Sequence, residues 1–174
     1  MNQVEMLKLE IRLSEVTLDY WLHHDLFTWR WWILLGFSIF PSAIWWKILD
    51  KTRKPEILLY GFCTAFLATF LDVLGWNLNL WSYPHKLLPL SIPLIPADLI
   101  ILPIFYMLVY QRFLTWRSFF WANIALAFIL AFIMEPLFLW IEISKFLAWK
   151  HVFSFPIYIA ISILGKWVTM KIMK

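Results

Sequence analysis

From about residue 30 onward, the chain is a succession of long apolar runs separated by short polar or proline-bearing connections. Five runs, at about 31–49, 57–76, 97–114, 118–141 and 153–171, approach the roughly 20 apolar residues that a helix needs to cross a bilayer core. The first stretch reads differently. Val4, Leu7, Ile11 and Leu18 recur at helical spacing, as do Leu9, Leu13, Val16 and Tyr20, with Glu5, Lys8, Glu10, Arg12, Glu15 and Asp19 between them. This pattern predicts an amphipathic helix over 1–28, lying on a membrane or against the bundle. The expected fold class is all-α: a polytopic transmembrane helical bundle over 29–174, with about five spans, behind an N-terminal amphipathic helix.

Composition agrees with the pattern. The chain is 63% hydrophobic and 15% charged, against about 45–50% and about 25% for soluble domains. Trp31, Trp32, Trp45 and Trp46 bracket the first span, and the thirteen tryptophans fit interfacial belts. Placing the first loop in the cytoplasm puts nine Lys and Arg inside, from Lys47 to Lys174, and six outside. The excess predicts a bacterial cytoplasmic membrane protein with its N-terminus outside and its C-terminus inside. Basic residues confined to short loops orient a membrane protein and exclude a nucleic-acid footprint. The single Cys63 permits no internal disulfide, and the charged first thirty residues lack the short apolar core of a cleaved signal.

The connection 77–96 is long and apolar and carries Pro84, Pro89, Pro93 and Pro96. Prolines at this spacing forbid a regular helix, yet so apolar a segment is expected to avoid water. It is predicted to lie on the outer bilayer face or to fold back onto the bundle.

Three carboxylates interrupt the apolar runs. An ionised side chain at the bilayer centre costs roughly 2.5–3.5 kcal/mol on insertion scales, so such residues are rare unless they pair or act. Asp72 lies fifteen residues beyond Ile57 and Glu135 seventeen beyond Ser118. These separations correspond to about 22 and about 25 Å of helix. Both spans run the same way, so both acids reach the outer third of the core, where Asp98 opens the third span. Small residues share their faces: Gly61, Ala65 and Ala68 with Asp72, and Asn123, Ala127 and Ala131 with Glu135. Small faces admit close neighbours, which turns both acids toward helix contacts.

The segment Leu67-Ala68-Thr69-Phe70-Leu71-Asp72 is echoed by Leu130-Ala131-Phe132-Ile133-Met134-Glu135. Each is followed by an aromatic outer connection and a proline-bearing helix, as in a parallel two-helix repeat. Pro136 is expected to free the carbonyl of Phe132, and Pro103 that of Leu99. Asp98, just after Pro96-Ala97, also suits a helix N-cap.

Asn77, Tyr83 and His85 are candidates to roof the site, with Tyr106 and Tyr158 as further ligand-binding candidates. Lys166 is expected to snorkel toward the inner face. His23, His24 and His151 lack metal-ligand spacing with one another. No phosphate loop or nucleophile elbow occurs, so no cofactor is expected, and metal binding stays open.

Leu71-Asp72-Val73-Leu74-Gly75, Trp81-Ser82-Tyr83-Pro84, Pro96-Ala97-Asp98-Leu99, Tyr106-Met107-Leu108-Val109-Tyr110-Gln111, Glu135-Pro136 and Ser154-Phe155-Pro156-Ile157-Tyr158 carry a resemblance. With them the chain, from about residue 30 to its end, resembles a family of small five-span membrane proteins from endospore-forming bacteria, a family without a settled activity. The resemblance implies class and localisation. A fainter likeness is to small membrane-embedded isoprenoid cyclases of the lycopene type, which carry paired acids where Asp98 stands alone. That likeness is by analogy of fold, which transfers function poorly.

Three functions are compatible with these residues. The first is acid–base or carbocation chemistry on, or binding of, a lipid-soluble, isoprenoid-like molecule. Glu135 would donate a proton while Asp72 or Asp98 stays ionised. The second is proton- or cation-coupled transport, using the acids as a relay. The third is a membrane scaffold whose acids hold helices together. The inner halves of the spans offer no comparable polar residue, which favours a pocket over a relay. Membrane lipid and a lipid-soluble substrate are the expected partners, and a chain this small is compatible with a homo-oligomer that enlarges the cavity.

Overall fold

The computed structural model describes residues 2–90 and 94–173; Ser91, Ile92 and Pro93 of the proline-rich connection lie outside the described residues. The chain is an all-α bundle. Helix α1 (Gln3–Tyr20) runs through a π turn, Trp21–Asp25, toward α2 (Trp29–Ile48). A basic 3-10 turn, Lys51–Arg53, leads into α3 (Lys54–Asn77). A two-residue strand β1 (Trp81–Ser82) follows, then a π segment, Pro96–Ile101, that continues as α4 (Leu102–Arg112). Helix α5 (Trp116–Ile129) passes through a second π segment, Leu130–Met134, into α6 (Glu135–Trp140). Strand β2 (Lys145–Phe146) and helix α7 (His151–Ile172) complete the fold.

Among the described residues, four helical stretches are long and apolar enough to cross a membrane: Trp29–Ile48, Lys51–Asn77, Trp116–Trp140 and His151–Ile172. The expected third span, 97–114, is shorter than a full crossing. It begins as six residues of π helix and ends after eleven of α helix, at Arg112. The prolines account for the shortening. Pro103 cannot donate to Leu99, and widening to π geometry absorbs the missing bond. This short element is nevertheless the centre of the bundle, where Tyr106, Tyr110 and Met107 pack with Tyr60 and Ile57 of α3 and Phe119 of α5.

Helix α1 begins with a capping box, in which Asn2 and Glu5 exchange bonds of 2.9 Å. No residue of it is buried, so of the two expected placements it does not take the one against the bundle. Both its apolar stripes are open: Val4, Leu7, Ile11 and Leu18 on one side, Leu9, Leu13 and Val16 on the other.

The two ends of the bundle are distinct. At one end β1 pairs antiparallel with β2, matching Trp81 with Phe146 and Ser82 with Lys145. At the other, Gln111 ties the end of α4 to the basic turn, donating to the Ile48 carbonyl at 3.2 Å and accepting from the Asp50 amide at 3.3 Å.

The two connections that form the strand pair are built alike. Both α3 and α6 end in a Schellman cap. Leu80 donates to Gly75 and Asn79 to Trp76, as Ile143 donates to Phe138 and Glu142 to Leu139. The left-handed residues are Asn79 and Glu142, at φ 55° and 61°. Glu142 has no glycine-like freedom there, and Arg30 holds it, through its side chain and through the neighbouring Ile141 carbonyl at 2.9 Å. Asp72 and Glu135 each stand seven residues before these caps, so the sequence echo has a backbone counterpart.

Candidate functional site

Asp72, Asp98 and Glu135 line one cavity of about 330 Å³ beneath the β1–β2 pair. Its volume is within the roughly 300–1,000 Å³ usual for small-molecule sites. The walls are apolar and aromatic: Trp81, Tyr83, Phe138, Phe146, Trp149 and Tyr158 among them, with no Lys or Arg among the described lining residues.

Asp72 is clasped from above. Its Oδ1 accepts from the Trp81 indole at 2.7 Å and from the Tyr83 hydroxyl at 2.6 Å. Both donors come from the connection 77–96, which therefore folds back onto the bundle, and its described part roofs the site. Burial, and then the Asp72 charge, hold the Tyr83 phenol well above its ordinary range, which fixes it as a donor. Gly75 makes the clasp possible. A Cβ there would stand 2.1 Å from the Trp81 ring.

Glu135 is also satisfied. Its Oε2 bonds His151 Nδ1 at 2.8 Å and its Oε1 accepts from the Tyr158 hydroxyl at 2.8 Å. The π segment Leu130–Met134, forced by Pro136, widens the helix just ahead of this residue.

Asp98 lacks comparable donors. It is not the N-cap, a position occupied by Ile95; it sits inside the π segment. It is 5% exposed, and its Oδ2 has no hydrogen-bond partner; the Oδ2 of Asp72 lacks one too. Buried acceptors without donors are costly, about 1–3 kcal/mol or more each when charged.

Other candidates lie elsewhere. Asn77, the last residue of α3, is exposed and its side chain bonds back to the Val73 carbonyl at 2.7 Å, away from the cavity. His85 does not line the cavity. It contacts the buried Asp25 at 2.6 Å, and the Lys86 amide adds a second bond at 3.2 Å. Trp21 and Trp31 hold the same strap by donating to the carbonyls of Lys86 and Leu87, each at 3.0 Å. Tyr106 is buried behind the wall, donating to the Tyr158 carbonyl at 2.9 Å; it positions Tyr158 rather than reaching the cavity. Among the described residues no three His, Cys, Asp or Glu side chains are grouped to hold a metal ion.

Sequence reasoning missed three contributors. His151, which by spacing suggests only a test for metal ligation, follows Glu135 by sixteen residues and faces it. Trp81 and Trp149 cross edge to face with centroids 4.9 Å apart; belt statistics hid them. The half of the bundle away from the strand pair also proves polar. Tyr60 and Ser162 hydroxyls meet at 2.8 Å, Ser162 bonds Asn123, and Asn123 donates to the Phe119 carbonyl at 2.8 Å. Lys166 does reach toward the α4–α5 connection, the end expected to be the inner one, but it is enclosed by aromatic rings there. It is 4% exposed, with Nζ 4.0 Å from the Phe119 ring centre and 3.3 Å from the Leu114 carbonyl.

Comparison of the chain with protein-family models, curated proteins and solved structures gives no match.

Proposed function

We propose that the cavity binds a lipid-soluble, isoprenoid-like molecule and performs acid–base chemistry on it. The protein would lie in a bacterial cytoplasmic membrane with its N-terminus outside. The observation that carries this reading is the convergence of three carboxyl groups on one apolar, aromatic cavity. Without a lining cation, the cavity has nothing to neutralise a phosphate or fatty-acid headgroup, which favours an uncharged chain.

The hydrogen bonds favour roles different from those suggested by depth along the helices. Glu135 accepts from the Tyr158 hydroxyl and pairs with His151, an arrangement that suits the ionised form, whereas Asp98 lies against Asp72 with no donor on its Oδ2, which suits the acid form. In this scheme Asp98 gives its proton to a carbon–carbon double bond. Asp72 and the faces of Trp81 and Trp149 stabilise the resulting cation. Glu135, backed by His151, removes a proton from a neighbouring carbon. The net change is an isomerisation or ring closure, with no electrons gained or lost.

Lipid extracts of deletion and overexpressing cells test this directly. One lipid species should change, and Asp98→Asn and Glu135→Gln should each abolish the change at normal membrane abundance. An unchanged lipid profile would refute the proposal. A transport reading draws support from the Tyr60–Ser162–Asn123 network. Among the described residues, however, no hydrogen bond links that network to the carboxylates, so the pocket reading is preferred.

A further inference from the structure

A second concavity, of about 1020 Å³, lies between α2, α3 and the Pro96–Arg112 helix. It exists because α2 leans on the Pro96–Ile101 segment and on α4 rather than on α3, although only the short basic turn joins α2 to α3. Ile39, Ala43, Phe62, Ala65, Leu99 and Pro103 give it apolar walls. None of the three cavity carboxylates lines it.

One end of this groove is polar in a specific way. Trp45 lines it, is 8% exposed, and has an indole N–H with no acceptor. With no acceptor in the protein and almost no open surface, this N–H is met when an oxygen of a water or of a molecule seated in the groove reaches it. Lys47 lines the groove too, and Lys51 and Lys54 follow in the connecting turn and at the start of α3; among the described residues none of the three has an ion-pair partner, whereas Arg53 is held by Glu56 at 3.0 Å. Lys54 Nζ sits 4.7 Å over the ring of Trp46, another lining residue.

We propose that the groove binds one anionic phospholipid. An acyl chain lies along the apolar walls, an ester or phosphate oxygen accepts from the Trp45 indole, and the headgroup charge meets Lys47, Lys51 and Lys54. Basic pockets between spanning helices are suited to such headgroups. A second copy of the chain fits less well. An apolar helix has its carbonyls bonded internally and offers the indole no acceptor. The inference needs only that the chain spans a membrane, and it stands apart from the carboxylate cavity.

The test is native mass spectrometry of the full-length protein in detergent, with added phosphatidylglycerol or phosphatidylcholine of matched acyl chains. The wild type should retain phosphatidylglycerol at least about tenfold better. The combined Lys47→Gln, Lys51→Gln, Lys54→Gln variant should lose that preference. Ala65→Phe, which fills the groove, and Trp45→Phe, which removes the donor, should each lower retention with the lysines intact. Equal retention of the two lipids by the wild type overturns the proposal. So does wild-type retention by Trp45→Phe and Ala65→Phe, which would assign the effect to rim charge alone. Trp45→Phe is near-isosteric with part of the indole and carries the groove test if Ala65→Phe fails to fold.

Discussion

The clasp on Asp72 can be measured as a coupling energy. Tyr83→Phe removes only a hydroxyl, one that donates to Asp72 at 2.6 Å. A hydrogen bond to a charged acceptor contributes about 1.5–3 kcal/mol, against about 0.5–1.5 kcal/mol for a neutral pair. Asp72→Asn keeps the acceptor and its shape but removes the charge. Tyr83→Phe should therefore cost about 1.5–3 kcal/mol in the wild type and about 0.5–1.5 kcal/mol in the Asp72→Asn background. The expected coupling is about 1–1.5 kcal/mol. Asp72 is 7% exposed, so solvent screening should not erase the difference. The assay is equilibrium unfolding in mixed micelles, followed by far-ultraviolet circular dichroism, for the wild type, both single variants and the double variant. Tyr20→Phe, at an exposed ring, serves as the control. Additivity of the two substitutions to within about 0.3–0.5 kcal/mol would refute the clasp, and with it the placing of the roof over the carboxylates.

Asp98→Asn should abolish the lipid change while leaving stability unchanged or raising it by about 1–2 kcal/mol, because it replaces a carboxyl crowded against Asp72 with an amide that can donate to it; the same unfolding assay reads this, and a marked loss would contradict it. Gly75→Ala should destabilise by about 1–3 kcal/mol through overpacking against the Trp81 ring, and Gly36→Ala, whose nearest neighbour stands at 3.6 Å, should cost far less. Ser162→Ala should cost about 1–3 kcal/mol by leaving Tyr60 and Asn123 without their shared partner, with lipid chemistry retained; loss of chemistry at full stability would move the function toward the inner network.

The chain's own pattern was enough for the class of the protein. Long apolar runs follow from the bilayer as a solvent, and such one-dimensional constraints are legible residue by residue. The common depth of Asp72, Asp98 and Glu135 was legible for the same reason, because rise per residue converts position into height. Height is not direction. The proline-linked π segments rotate Asp98 and Glu135 relative to an ideal helix, and only their observed paths show both acids at one cavity. Long-range partners were equally hidden: His151 for Glu135, Asp25 for His85, and Trp81 and Tyr83 for Asp72. Sequence spacing fixes neighbours within a helix, whereas these pairs depend on how helices and connections pack across the bundle. The amphipathic pattern expected over residues 1–28 appears as a helix over Gln3–Tyr20 and a π turn to Asp25, while the tertiary structure left its apolar faces open. Local periodicity and hydrophobicity thus set the elements and the height of the acids along them; packing decided which side chains meet, and so which carboxyl oxygens are satisfied and which stand without a donor.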